Sequence, residues 1–148
     1  MTTTYTPEVR AKLEDYLLTH ELPIGLGDEE SACSIAAINL ALSGKLTDDI
    51  PDCMSEVLGK TTIRLQDAMP YEMRNSDRYK AWLPTAAGTG RGHEQERLEV
   101  LLEWMWGTVL PQLQDLADDK GFGEEWRRMC EERTVEAAYT AYTANAAY

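Results

Sequence analysis

The chain has 148 residues, the size of one domain, and a 43% hydrophobic content large enough for one buried core, which excludes a disordered chain. Fourteen Lys and Arg stand against 26 Asp and Glu, a formal net charge of -12, so most of the surface repels phosphate backbones and a generic DNA or RNA binder is disfavoured. No apolar run approaches the ~18–20 residues of a membrane span, and Met1–Tyr5 lacks a basic region followed by an apolar one, so the expected location is the cytoplasm.

In chain order, Thr6-Pro7-Glu8 is a helix start: a capping hydroxyl, a proline where no N–H is needed and an acid at the positive end of the dipole. Val9, Leu13, Tyr16 and Leu17 follow at helical spacing until Pro23, Gly25 and Gly27 break the pattern. Asp28, Glu29 and Glu30 are expected to open a second, central helix through the nearly continuous apolar stretch Ile35–Leu42, closed by Gly44. After Thr47-Asp48-Asp49-Ile50-Pro51, Asp52 is expected to cap a third helix that Pro70 ends.

One or two short helices are expected between Tyr71 and Leu83, with Asn75-Ser76-Asp77 as a cap or turn. Residues 84–92, with Gly88, Gly90 and Gly92, read as a mobile loop. From His93 to Ala117 the apolar spacing predicts one long amphipathic helix bent at Pro111. Asp118–Gly123 reads as a turn, and Glu124-Glu125 as the start of a final helix running into an Ala/Thr/Tyr tail at 137–148 that is a packed helix, a frayed end or an interaction arm. The expected fold is all-α: a single-domain irregular bundle of five to seven helices.

Charge is unevenly placed. Residues 1–60 carry -7, residues 61–92 carry +2 and residues 93–148 carry -7. The central bases Arg64, Arg74, Arg78, Lys80 and Arg91 form either an anion- or protein-binding patch with Tyr71, Tyr79 and Trp82, or internal countercharge for the surrounding acids. The acids suggest a different surface. Asp28, Glu29 and Glu30, then Asp48, Asp49 and Asp52, then Glu96, Glu99 and Glu103 at spacings of three and four, can array carboxylates as phosphates are arrayed. Such a surface would fit the basic channel of another protein by charge mimicry; the ordinary alternative is a set of solvated faces.

Catalytic signatures are weak. Neither His20 nor His93 sits in Glu-x-x-His, and His93-Glu94 has Arg97 where a zinc-site motif needs a second histidine. Cys33, Cys53 and Cys130 are widely spaced and read as reduced thiols, so no metal and no cofactor is expected. The glycines at 88, 90 and 92 match no phosphate-loop motif. Ser31, Ser34 and Cys33 have no histidine at a defined distance, so no catalytic residue is assigned. Glu96-x-x-Glu99 with Asp115-x-x-Asp118 resembles the paired acidic motifs of all-helical nucleotide pyrophosphatases, which would imply magnesium-dependent hydrolysis of nucleoside triphosphates, although that family places the motifs on separate antiparallel helices.

Trp104 and Trp106 point to different helix faces, so only one can enter the core of Leu101 and Leu102; the other is expected to bury against a different neighbouring helix, or, if exposed, to mark a partner surface. Glu29–Cys33, Leu40–Gly44, Thr47–Cys53 and Arg64–Pro70, followed by a Trp-rich helix and an Ala-rich tail, resemble a pattern in uncharacterised bacterial and phage all-helical proteins without assigned activity. The resemblance implies a phage or mobile-element origin. The leading expectation is a non-enzymatic inhibitor that binds a basic surface on a host nucleic-acid-handling or defence protein, with no direct contact to nucleic acid or membrane. The alternatives are an accessory protein that forms a homo-oligomer through its aromatic residues, and the magnesium-dependent pyrophosphatase.

Overall fold

The structure, a computed structural model, describes residues 4–147; the expectations placed on Met1–Thr3 and Tyr148 lie outside the described residues. Among the described residues every regular element is helical, with one isolated antiparallel bridge between Gly27 and Ala32. The helices are α1 (Pro7–Thr19), α2 (Ser34–Ser43), α3 (Glu56–Ala68), α4 (Tyr71–Arg74), α5 (Asp77–Ala87), α6 (Glu94–Trp104), α7 (Gln114–Asp119), α8 (Gly123–Glu132) and α9 (Val135–Ala146). A π turn, Met105–Val109, and a 3-10 turn, Leu110–Leu113, join α6 to α7. Counting residues 94–119 as one run gives eight helices among the described residues, slightly more than expected. The chain divides into two compact units, one through Arg97 and one from Leu98.

In the first unit, α2 is the centre. Its residues Ser34–Asn39 are buried without interruption, as an apolar helix surrounded by others must be. Leu13 and Leu17 of α1, Leu83, Ala86 and Ala87 of α5, and Leu22 and Met54 from loops complete the core around Ile35 and Ile38. The end signals at Thr6 and Gly44 act as read: Thr6 Oγ1 accepts from the Val9 amide at 3.3 Å, and Gly44 closes α2 with φ 71°. Ser76 caps α5 through the Tyr79 amide at 3.2 Å.

Three expectations about helix starts and the loop are corrected. Asp28–Glu30 do not open α2; its N-cap is Cys33, whose Sγ accepts from the Ala36 amide at 3.4 Å. Asp52 does not cap α3 either; that cap is Ser55, whose hydroxyl accepts from Leu58 at 3.2 Å, three residues further on. The loop expected at 84–92 is partly helix, because α5 runs through Pro84 to Ala87. The Pro84 carbonyl accepts from Tyr5 Oη at 2.7 Å, and beyond the helix the backbone is anchored. The Gly90 amide donates to Cys53 at 2.7 Å, and Arg97 donates to the carbonyls of Thr89 at 2.9 Å and Gly90 at 2.8 Å.

The second unit has a small core. Met129, Ala137 and Ala141 are buried, with Trp106, Leu110, Trp126 and Cys130 packed against them. Trp126 Nε1 donates to the Leu110 carbonyl at 2.9 Å, fixing the indole where the helical winding changes next to Pro111. The final helix is two helices, not one: Arg133 takes φ 54° and ends α8, and Thr134 caps α9 by accepting from Ala137 at 3.1 Å. The tail is thus helical through Ala146, with one face packed inward at Ala137 and Ala141.

Candidate partner-binding surface

The loop carrying Asp28, Glu29 and Glu30 is a tight turn. Asp28 Oδ1 accepts from the amides of Glu30 at 2.9 Å and Ser31 at 2.8 Å, an aspartate-centred turn that competes with helix initiation. Around it, Asp28 N donates to Ser31 O at 3.1 Å and Cys33 N to Leu26 O at 2.9 Å. Gly27 adopts φ 77°, and a Cβ there would lie 1.8 Å from the Ser31 carbonyl oxygen, so this turn requires glycine. Tyr16 pins the turn from α1: its hydroxyl accepts from Ala32 N at 2.9 Å and donates to Glu29 O at 3.1 Å.

The second acidic loop is pinned from α2. Asn39, buried among apolar neighbours, donates through Nδ2 to the carbonyls of Thr47 and Asp49, both at 2.8 Å. Asp49 Oδ2 accepts from Thr47 Oγ1 at 2.8 Å. Asp52 lies 3.5 Å from Arg91, which also donates to Ile50 O at 3.1 Å. The two loops meet at the start of α2, where Leu26, Cys33 and Asp48 line one cavity of about 40 Å³ with Asp67. Burial pushes the Cys33 thiol up, and Asp48 and Asp67 add to this against the lowering by backbone amides.

The nine candidate acids therefore divide. Asp28 and Asp49 are spent on their own loops and Asp52 faces Arg91. On α6, Glu96 lies 3.5 Å from His93 Nδ1, and Glu103 accepts from Arg133 at 2.8 Å, with Glu99 between them in sequence. Glu29, Glu30 and Asp48 are exposed, and their carboxylates make no ion pair or hydrogen bond among the described residues.

The basic stretch resolves into structural roles for three of its five members. Arg74 is buried and donates to the carbonyls of Leu22 and Met69. Lys80 Nζ donates to His20 O at 2.8 Å, and Arg91 faces Asp52 and Glu56. Arg64 and Arg78 are exposed. Ser34 is also structural: its hydroxyl sits with Gln66 Oε1 and with Tyr79 Oη at 3.0 Å. Burial raises the Tyr79 hydroxyl above the usual phenol range, and among the described residues Ser34 makes no hydrogen bond to a histidine that could act as a base.

The paired acids Glu96 and Glu99 lie on α6, and Asp115 and Asp118 on α7. Asp118 Oδ1 accepts from Gln114 Nε2 at 2.9 Å. Among the described residues no three His, Cys, Asp or Glu side chains are grouped to hold a metal ion. The tryptophans take different faces, Trp106 against the second core, while Trp104 is about half exposed and not buried against another helix as expected. Sequence reasoning missed Tyr16 and Asn39, the residues that set the acidic loops. Asn39 left a trace, as an amide inside an apolar helix that must find partners when buried. No helix of the described residues is long and apolar enough to cross a membrane. The chain matches no family model, no curated protein and no solved structure.

Proposed function

We propose that the protein is a non-enzymatic binding protein that presents the carboxylates of its first unit to a basic surface of another protein, of the kind that handles nucleic acid. The supporting observation is that Glu29, Glu30 and Asp48 are unpaired carboxylates on loops held by Tyr16 and Asn39. Unpaired, exposed charge attracts an opposite surface at long range, and a pinned backbone loses little entropy when it is engaged. A phosphate-binding channel provides the complementary charge and carries no sequence requirement that a protein surface must meet.

The test is partner capture from cell lysate by the full chain at ~0.05 M and ~0.5 M NaCl, where the Debye length falls from about 14 Å to about 4 Å. The expected result is a nucleic-acid-binding protein held at low salt and released at high salt, competed by DNA or RNA, and lost with Glu29→Gln/Glu30→Gln/Asp48→Asn. Capture that survives both the salt and the triple substitution overturns the reading, as does the absence of any such protein.

A further inference from the structure

Helix α9 buries Ala137 and Ala141 and turns a different face outward. On that face Val135 is 88% exposed, Tyr139 67% and Tyr142 68%, and Ala146 is exposed too. The spacings of four, three and four residues form the apolar seam of about three turns by which one helix packs along another. We propose that this seam pairs with the same seam of a second copy, the two α9 helices running antiparallel.

Two properties of the seam point to a second copy. The first is charge. Two chains of net charge -12 repel, so they can meet only where charge is sparse, and Glu136 is the single ionisable acid or base in α9 apart from its tyrosines. A basic partner, by contrast, gains nothing from an uncharged face and is drawn to the acidic loops. The second is self-complementarity, which a two-fold contact demands. An antiparallel pair centred on the 140/141 peptide sets each Tyr139 opposite the other copy's Tyr142, and each Val135 opposite its Ala146. The two Glu136 carboxylates then stand nine residues' rise apart, about 13 Å along the axis, whereas a parallel pair would set them at one level. The helix dipoles also oppose in the antiparallel pair.

The seam is short. Its tyrosines carry about 150–250 Å² each, and together with Val135 and Ala146 they bury less than the ~1,200 Å² of a lasting interface. The dimer is therefore weak and rapidly exchanging, with Kd on the order of 0.1–1 mM.

Sedimentation equilibrium of the full chain from ~20 µM to ~1 mM, at ~0.05 M and ~0.5 M NaCl, tests this. Dimer is expected to grow with concentration and with salt, since screening weakens repulsion between the copies; this is the opposite of the salt response expected for the acidic loops. Tyr139→Lys or Tyr142→Lys should leave only monomer while circular dichroism stays unchanged, because both side chains face outward. Val135→Lys and Ala146→Glu should each weaken the dimer, and the two together should restore it, because only the antiparallel register sets the new ammonium of one copy against the new carboxylate of the other. A wild-type chain that is monomeric at ~1 mM in ~0.5 M NaCl overturns the proposal. So does a dimer that ignores the tyrosine substitutions, or a double variant no better than the single ones.

Discussion

The Arg74 guanidinium holds the Leu22 carbonyl oxygen at 2.7 Å through Nε, and a second nitrogen donates to the Met69 carbonyl at 2.8 Å. The side chain is 5% exposed and makes no ion pair with an acid among the described residues; its counterpart is the negative end of α3, whose last carbonyls lack helical donors. It thereby ties the loop after α1 to the end of α3. Arg74→Met should cost about 2–4 kcal/mol, because it strands buried carbonyls. Arg74→Lys keeps the charge without the planar fork and should lose roughly half as much. Urea unfolding midpoints measure both.

Gly59 sits in the middle of α3 because Ile50 lies over it. A Cβ at that position would come within 2.6–2.8 Å of three Ile50 side-chain carbons. Gly59→Ala gains about 1 kcal/mol of helix propensity and is expected to lose more to overpacking, for a net cost of about 0.5–2 kcal/mol. Combined with Ile50→Ala, the same substitution should become neutral or stabilising relative to Ile50→Ala alone. A double-mutant cycle by thermal or urea unfolding reads the coupling.

Glu94 reaches across to the N-terminus of α3 and accepts from the Val57 amide at 2.9 Å. Its carboxyl is held below the usual glutamate range by the Ser55 hydroxyl first, then by that amide, with Arg97 adding to both. A carboxyl with a lower pKa folded than unfolded stabilises fully above the unfolded value of ~4.3, and the effect fades as pH falls through the folded value. Glu94→Gln should therefore lower stability at pH 7 and lose less than the wild type between about pH 5 and pH 3. Urea titrations at each pH compare the two slopes.

How much was legible can be judged from the helix ends. Thr6, Gly44 and Ser76 act where they were expected, because a hydroxyl next to Pro7 or Asp77 and a glycine after an apolar run admit few other roles. Asp28 and Asp52 failed as caps for a reason the sequence does not display. An aspartate can satisfy amides two and three residues ahead in a turn as well as in a helix, and Cys33 and Ser55 stood closer to the apolar runs. The break at Arg133 left no signal, since no glycine or proline marks it. The acids of the candidate surface were all visible as residues. Which of them remain unpaired depended on Arg91, Arg133 and His93, whose positions only the fold supplies.

Burial raises all three thiols above their usual range, so at pH 8 little thiolate forms. With a thiol-reactive disulfide reagent, Cys130 and Cys53, both partly exposed, should react slowly and faster as pH rises. Buried Cys33 should react only as fast as the first unit opens. Mass spectrometry of partly labelled protein gives the order; early labelling of Cys33 would contradict it.

The π turn at Met105–Val109 also has a consequence for chain length. Such a turn holds one residue more than an α turn, which rotates everything after it by about 100° relative to a helix continued from Leu98. A homologue shorter by one residue between Trp104 and Leu110 can wind this stretch as α-helix and keep the same side of residues 110–119 toward Trp126, whereas a homologue of the same length without the π turn would turn that side away. At this point of the chain the match between segment length and π or α winding determines which carbonyl the Trp126 indole meets.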